Sequence, residues 1–454
     1  MRNFAACRII RALHPILEKL VPARHARAVL IGACLLPLVL GAWLVYALPQ
    51  SPDLWYYKNW SRLVTRHGLS SAYSGKPSAD YVDYPPVLLY PWKVEGEIYQ
   101  RCVDPSFDEE AMFDNEWHTF GLALIAVLFH IATGLALWWL AKKRHAERVA
   151  AAVAALYLLN PAALYNVAYL GLPDSAHSLW LVLAFGLAEL GHARGGWALA
   201  ALAALTKPQA WGLMPLFAWR RFQTDGAKKF LTGLGVVAGT SLVVVAPFIF
   251  NGKLGELLRL PLHMGDVQAV VSAQAHNLWW LVTLGEGLHT RDSNPLLGPV
   301  TYHVASLVLL AASGFFTLWR SQGARPELML VLPAFQAFAW FCLTTRAHEN
   351  HWFFVLPLLA LALPGAPAML KFFLALTATG FLNLLLHDDF VMGKLHPLLP
   401  PNLQLELQLL NSTANIFILA AWTVWLVRQP APGARPVSPP GGEAAGQSPT
   451  PAGG

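Results

Sequence analysis

Apolar runs close to twenty residues long recur along the chain and constrain its fold more than any other feature. About twenty apolar residues in helical form cross the hydrocarbon core of a bilayer. Only 13% of the residues are charged, against about 25% in soluble domains. The sequence therefore predicts an all-α fold, a polytopic transmembrane helical bundle. The runs lie near 29–48, 119–140, 149–167, 177–190, 196–219, 230–250, 297–318, 327–344, 351–364, 368–386 and 412–427.

The positive charges of the chain indicate its orientation. Lys and Arg are concentrated in the basic N-terminus and in short loops such as Lys142–Arg144 and Arg220-Arg221. Loops of this kind remain in the cytoplasm, so the formal net charge of +6 does not indicate a nucleic-acid partner. The pattern predicts a multi-pass protein of the bacterial inner membrane with both termini in the cytoplasm.

The run 195–219 allows two topologies. As a single helix of about 25 residues it would be roughly 37 Å long, and Lys207 would lie at the bilayer centre at a cost of about 3 kcal/mol. Alternatively the run breaks at Lys207-Pro208 into a hairpin of two short helices, which returns both basic flanks to the cytoplasm. We favour the hairpin, because broken helices are tolerated at membrane depth where they line a cavity.

With the hairpin, the bundle has about twelve segments. We expect a basic cytoplasmic N-terminus (1–28), a transmembrane domain (29–428) and a disordered, Pro- and Gly-rich cytoplasmic tail (429–454). The first extracytoplasmic loop (49–118) is long and aromatic. Most acidic and histidine side chains outside the apolar runs fall in the outer loops, which places the predicted chemistry on the extracytoplasmic side.

Asp53 follows the first apolar run and is surrounded by aromatic residues. A carboxylate in this position can remove the proton of a sugar hydroxyl that attacks an anomeric carbon. The alternative is a solvated acid at a helix terminus. Further along the loop, Asp83 and Tyr84 precede two prolines, which hold them in a rigid turn. An acid beside an aromatic ring suits sugar binding, although a purely structural turn explains the same residues.

Two further segments carry candidate contacts to a lipid phosphate. Lys207, followed by Pro208 and Gln209, lies at the tip of the predicted hairpin; a buried Lys requires an anion, either a phosphate or an acid of the chain. Arg346, His348 and Glu349 lie together at an outer helix junction. Arg can bind phosphate through two hydrogen bonds, His can donate a proton and Glu can orient either. A polar interhelical loop without a ligand is the alternative.

His276 and Asn277 lie where the chain re-enters the membrane before Trp279-Trp280. They could form part of a donor pocket, or Asn277 could cap the following helix. The chain has no phosphate-binding glycine loop of the Walker type and no GxSxG elbow. A donor that a helix bundle can hold, such as a sugar on a polyprenyl phosphate, is therefore favoured over a nucleotide sugar.

The order of these motifs resembles a known class. Asp53 with Tyr56-Tyr57 and Trp60 comes first. It is followed by His67-Gly68-Leu69, Tyr73, Asp83-Tyr-Pro-Pro86, Asn160-Pro161, Lys207-Pro-Gln209, Ala275-His-Asn277-Leu-Trp279 and Arg346-Ala-His348-Glu349. This series resembles the bacterial mannosyltransferase-like integral membrane proteins related to the GPI mannosyltransferases, in the GT-C superfamily of glycosyltransferases. The resemblance covers residues 50–360; Asn350-His351 departs from relatives that place a basic residue and an aromatic there.

The resemblance implies an enzyme that transfers a mannose-like hexose or a pentose from a polyprenyl-phosphate donor to an extracytoplasmic glycan or lipid acceptor, with inversion. Asp53 matches the catalytic acid of the first outer loop. Lys207, Arg346 and His348 match donor-phosphate contacts, and Asp83, Tyr84, Gln209, His276, Asn277 and Glu349 are the other substrate-binding candidates.

The alternative, from a different functional class, is a transporter or flippase of a lipid-linked saccharide, because broken helices and intramembrane charges also suit transport. The long aromatic loop and the lack of a visible two-half repeat favour the enzyme. No cofactor is required by the motifs, although Asp53 and Asp83 could hold a divalent cation. The expected partners are the lipid-linked sugar, its acceptor and membrane lipid.

Overall fold

The computed structural model describes residues 17–48, 51–73 and 82–430. The predicted disordered tail beyond Pro430, the first sixteen residues of the basic N-terminus and Tyr81 lie outside these residues.

The described chain is built almost entirely of helices. The first half contains α1 (Ala26–Ala47), α2 (Pro52–His67), α3 (Leu89–Cys102), α4 (Glu109–Asp114), α5 (Glu116–Lys142), α6 (Glu147–Leu158), α7 (Pro161–Leu164), α8 (Asp174–Glu189), α9 (Ala193–Ala204) and α10 (Met214–Phe250). A π-helical turn (Tyr165–Tyr169) follows α7, and 3₁₀ turns cover Ala23–His25, Leu69–Tyr73, Pro86–Leu88 and Pro208–Leu213.

The second half contains α11 (Leu254–Val267), α12 (Leu278–Val282), α13 (Tyr302–Ser321), α14 (Pro326–Leu343), α15 (Val355–Ala362), α16 (Leu370–Leu386), α17 (Asp389–Leu395) and α18 (Leu403–Val427), with 3₁₀ turns at Pro367–Met369 and His396–Leu398. Before α13, β1 (Pro295–Leu297) and β2 (Val300–Thr301) form a short antiparallel hairpin. The predicted all-α polytopic bundle is confirmed.

Seven helices of the described chain are long and apolar enough to cross a membrane, and an eighth span results if the pair 147–158 and 161–169, bent by 49°, is counted as one. The protein is therefore an integral membrane protein. Three of the other apolar runs form the shorter helices α8, α9 and α15. Every residue of α15 is buried, and its eight residues extend only about 12 Å. The predicted count of about twelve segments included these interior helices.

The predicted break at Lys207-Pro208 is confirmed. Helix α9 ends at Ala204, Lys207 is extended (φ −147°, ψ 144°), and Pro208 begins the 3₁₀ turn that leads into α10. The residue before a proline is disfavoured in the helical region, which accounts for the local conformation. Helix α10 is itself kinked at Gly226, where φ is +74°. The side of the membrane on which each loop lies stays a prediction.

Helices α2, α3 and α4 belong to the first long loop and form a small unit above the bundle. On α2, Tyr57 and Trp60 pack with Trp92 of α3 and with Tyr84. The unit joins the bundle where Ser61 of α2 donates to Glu95, which also binds His118 of α5. These contacts hold α2, and hence Asp53, in a defined position.

Candidate active site

The centre of the candidate site is a buried ion pair. The Lys207 ammonium donates a hydrogen bond to Oδ1 of Asp174, and both residues are 1% exposed. The other carboxylate oxygen of Asp174 accepts hydrogen bonds from Asn350 (2.9 Å) and Asn166 (3.1 Å). The pair is thus surrounded by hydrogen bonds, as a buried ion pair must be if its desolvation is to be offset. The sequence left two possible partners for Lys207, a lipid phosphate or an acid of the chain. In the structure an acid, Asp174, lies beside it.

Breaks in helices bring these side chains together. Asp174 is the first residue of α8, where the amide groups of the helix N-terminus favour a negative charge. Lys207 lies in the extended segment between α9 and the 3₁₀ turn. Asn166 comes from the π-helical turn between α7 and α8. Irregular backbone thus positions all three of these side chains.

The aromatic turn predicted around Tyr84 forms one wall of the site. The Lys207 Nζ lies 4.9 Å from the centroid of the Tyr84 ring, a cation–π geometry. The Tyr84 backbone carbonyl accepts a hydrogen bond of 2.7 Å from the Tyr73 hydroxyl, and the Tyr84 hydroxyl lies 3.3 Å from that of Tyr57. Three contacts therefore fix the orientation of this ring above the ion pair.

Three further carboxylates surround the pair. Asp53 lies in the first turn of α2, after the N-cap Ser51, Asp83 precedes Tyr84, and Glu349 lies in the loop between α14 and α15. All three are half-buried, whereas the ion pair is fully buried. Their charges act on one another and on Lys207. The site thus combines three half-buried carboxylates with one buried cation that acts on each of them.

Burial and mutual repulsion shift the titration of these acids. Burial raises the pKa of Asp53, while the Lys207 charge lowers it. Burial raises the pKa of Asp83 to about 6, again against the effect of Lys207. Burial, together with the charge of Asp53, raises the pKa of Glu349 to about 8. Glu349 is therefore mostly protonated at pH 7 and can donate a hydrogen bond, while Asp53 remains the candidate base.

Substitution of Glu349 by Gln is expected to remove a pH-dependent loss of stability. The folded-state pKa of Glu349 (about 8) lies above its ordinary value of 4.5, so folding favours the protonated form. The stability that the protonated side chain contributes is fully present below about pH 4.5 and is lost as the pH rises through 8. Each unit of difference between the folded and unfolded pKa corresponds to about 1.4 kcal/mol of unfolding free energy.

Thermal unfolding of purified protein at pH 5, 7 and 9 measures this effect. Glu349→Gln should unfold at nearly the wild-type temperature at pH 5 and at a higher temperature than wild type at pH 9. The exposed acid Glu110, changed to Gln, is the matched control and should follow wild type throughout. Parallel curves for wild type and Glu349→Gln would show that Glu349 is ionised in the folded protein.

Several buried polar atoms near the ion pair have no hydrogen-bond partner among the described residues. They are Oδ1 of Asp83, Oε1 of Gln209 and both ring nitrogens of His177. His177 lies one turn beyond Asp174 on α8 and interacts electrostatically with Lys207. Buried polar groups in native proteins are almost always satisfied by protein or water. These atoms therefore have hydrogen-bonding capacity left for a water molecule or a polar ligand.

Arg346 and His348 do not supply free positive charge in this arrangement. Nε of Arg346 donates to Oδ2 of the buried Asp292 at 2.6 Å, so its charge is already paired with an acid of the chain. The ring of His348 is 39% exposed; desolvation and the charge of Lys207 lower its pKa. At neutral pH His348 offers a hydrogen bond rather than a charge.

His276 and Asn277 belong to a neighbouring structural network. The His276 ring contacts His387 (3.0 Å) and Asn411 (2.8 Å). Asn277 caps α12 by accepting from the backbone of Trp279 and Trp280, which matches the capping alternative. The preceding Ala273 amide donates to the carbonyl of Ala347, and so this network supports the loop that carries His348 and Glu349.

Asp174, Asn166, His177 and Asp292 were not among the sequence candidates. Asp174 could have been predicted from the sequence as the partner of Lys207, because it is an acid at the start of an apolar helix and a buried Lys needs an anion. Asp292 and Asn166 carry no comparable signal. In residues 17–48, 51–73 and 82–430, no three or more His, Cys, Asp or Glu side chains are grouped so as to hold a metal ion; the divalent cation stays a prediction.

No protein-family profile and no curated protein matches the chain. Among solved structures, the chain is similar to the crystal structure of ArnT from Cupriavidus metallidurans bound to undecaprenyl phosphate. The two share 15% sequence identity with a TM-score of 0.49, over 87% of this chain and 76% of that chain. A likeness at this level does not establish a shared family or activity, and the GT-C resemblance depends on the motifs of the sequence.

Proposed function

We propose that the protein is a membrane glycosyltransferase that moves a sugar from a polyprenyl-phosphate donor to a glycan or lipid acceptor on the extracytoplasmic side. The observation that supports this proposal is the position of Asp53. Its half-buried carboxylate lies within the electrostatic reach of the buried Lys207–Asp174 pair and of Glu349. Residues separated by almost 300 positions thus act electrostatically on one another in one polar cluster.

Asp53 acts as the general base in this mechanism. It accepts the proton of the acceptor hydroxyl as the oxygen forms its bond to the anomeric carbon. The bond between that carbon and the phosphate oxygen breaks on the opposite face, so the configuration inverts. The proton remains on Asp53, and the bonding electrons leave with the polyprenyl phosphate.

Lys207 stabilises the charge that develops on the departing phosphate. Its ammonium has three N–H donors, and Asp174, which itself accepts a hydrogen bond from Asn350, holds its position. A fixed cation whose interaction strengthens as negative charge develops lowers the barrier more than it strengthens ground-state binding. Protonated Glu349 and neutral His348 can add hydrogen bonds to the same oxygens without adding repulsion. Arg346 can contact the phosphate only if the donor displaces it from Asp292.

The sugar lies against the aromatic wall. Apolar faces of pyranose or furanose rings pack on aromatic rings, and the Tyr84 ring is fixed by Tyr73 and Tyr57. The unpaired Oδ1 of Asp83 accepts a hydrogen bond from a sugar hydroxyl. A mannose-like hexose or a pentose fits this chemistry, since it requires hydroxyl recognition and no charged group on the sugar.

A transfer assay in a single compartment tests the proposal. Purified protein in detergent is incubated with radiolabelled polyprenyl-phosphate hexose or pentose and with a lipid and glycan extract from the same cells. A glycosylated product and free polyprenyl phosphate are expected in equal amounts. A flippase would leave the donor chemically unchanged, because detergent removes the second compartment on which transport depends. An intact donor after prolonged incubation with every sugar would therefore contradict the glycosyltransferase.

A further inference from the structure

Helix α11 presents an apolar stripe that the rest of the described chain leaves exposed. We call Leu254, Leu258 and Leu262 the leucine stripe; they are spaced four residues apart and lie on one face of the helix. Leu258 is 70% exposed and Leu262 is 72% exposed. A contiguous exposed apolar surface of this kind marks a contact with a membrane, a ligand or another protein.

The face of α11 beside the leucine stripe packs on the protein. Leu260 belongs to the hydrophobic cluster that contains Tyr57 and Trp60 of α2, and Leu257 and Met264 pack against this cluster. The three inward residues lie at helical spacing, so their burial fixes the rotation of α11 about its axis. The rotation that buries them is the one that turns the leucine stripe outward.

A third face of α11 is charged. On a helix of 3.6 residues per turn, Glu256 lies almost opposite Leu258. Glu256 forms an ion pair with Lys253 at 3.8 Å, and Arg259 is exposed. An apolar face and a charged face on one helix are typical of a helix that lies in the plane of the membrane surface, with its apolar face at the boundary between headgroups and acyl chains.

The leucine stripe begins where a membrane span ends. Helix α10 is part of a span that ends at Phe250, which is 86% exposed. The backbone amide of Lys253 donates to the carbonyl of Phe248 at 2.8 Å, so the start of α11 lies against the last turn of α10. The exposed apolar surface of the span therefore continues into the leucine stripe, at the depth where the span leaves the hydrocarbon.

Both ends of the segment that contains α11 are held at the same membrane surface. Among the described residues, no helix between α10 and α13 is long and apolar enough to cross a membrane. The end of α10 and the start of α13 therefore lie on the same side. Close to the start of α13, Leu297 of β1 is also exposed. The segment thus presents apolar side chains near both of its membrane ends, as expected if it lies on lipid.

We propose that α11 docks on the lipid bilayer, with the leucine stripe among the acyl chains and with Glu256 and Arg259 directed towards water. The partner is membrane lipid, because the stripe continues the lipid-facing surface of α10 at the depth of the membrane surface. Removal of the leucine side chains from water stabilises this arrangement, and no particular headgroup is required. Since the inner face of α11 packs on the cluster of Tyr57 and Trp60, the bilayer also supports the aromatic side of the candidate site.

Nitroxide labels on single cysteines test this arrangement in the full-length protein, reconstituted in vesicles of phosphatidylethanolamine and phosphatidylglycerol. The four native cysteines are replaced by alanine, and Leu258→Cys, Leu262→Cys and the matched control Arg259→Cys are labelled in turn. Electron paramagnetic resonance compares collisions with oxygen, which dissolves in hydrocarbon, and with a nickel chelate, which stays in water. The ratio of oxygen to nickel collisions should be about tenfold higher at residues 258 and 262 than at residue 259.

Val243→Cys, on the exposed surface of α10, is the reference for a position in lipid. Equal ratios at residues 258, 262 and 259 would overturn the proposal, because α11 would then project into water. Few collisions with either reagent at residues 258 and 262 would also overturn it, since a protein partner or a second copy would then cover the stripe.

A second measurement uses the wild type, in case the cysteine-free protein does not fold. A photoactivated carbene precursor dissolved in the bilayer should label the tryptic peptide 254–259 as well as the peptide 230–253 of α10. Label on the α10 peptide with none on the α11 peptide would contradict the docking of α11 on lipid.

Discussion

Asp53→Asn is expected to reduce the rate of sugar transfer by about 10²- to 10⁴-fold, the range that a positioned general base contributes. Asparagine has nearly the same shape as aspartate but cannot accept the proton of the acceptor hydroxyl. The substitution leaves the cap of α2 intact, because Ser51 bonds the backbone amide of residue 53 and not its side chain. The variant should therefore fold normally and lose most of its catalytic activity.

The measurement is the initial rate of product formation in detergent, with the unfolding temperature recorded for each preparation. If Asp53 acts as the base, kcat falls and KM for the donor changes little. Glu110→Gln, which removes an exposed acid from the same long loop (49–118), should retain full activity. Transfer by Asp53→Asn at near the wild-type rate would exclude Asp53 as the base, whatever its position in the structure.

Lys207→Met is expected to destabilise the protein by about 3–5 kcal/mol, the effect of removing one partner of a buried ion pair. Asp174 would remain buried without its cation, with only the helix N-terminus, Asn350 and Asn166 to stabilise its charge. The double variant Lys207→Met/Asp174→Asn removes both charges and keeps an oxygen that accepts from these two amides. It should recover most of the lost unfolding free energy.

The double variant also separates a structural role of Lys207 from a role in phosphate binding. If the ammonium stabilises the leaving phosphate, the double variant is folded but inactive. If the ion pair only holds the fold together, activity returns with stability. A single Lys207→Met variant as stable as wild type would show that Asp174 does not depend on Lys207. Urea unfolding of the wild type and of these two variants, together with the transfer assay, distinguishes these outcomes.

The sequence was sufficient for the helical framework, since this depends on local patterns. Apolar runs predict membrane helices because the bilayer requires their length and composition. The break at Lys207-Pro208 was predictable as well, because a proline restricts the residue before it and a lone Lys is costly at membrane depth.

Tertiary structure determined which charges meet. Lys207 pairs with Asp174, which precedes it by 33 residues, and Arg346 with Asp292, which precedes it by 54. Sequence predicted that a buried Lys needs an anion, but several acids could have served. The choice is made by helix packing, which brings the start of α8 against the break after α9. Because Coulomb energy depends on distance and on the surrounding dielectric, only the packed structure determines which pairs form and which acids remain protonated.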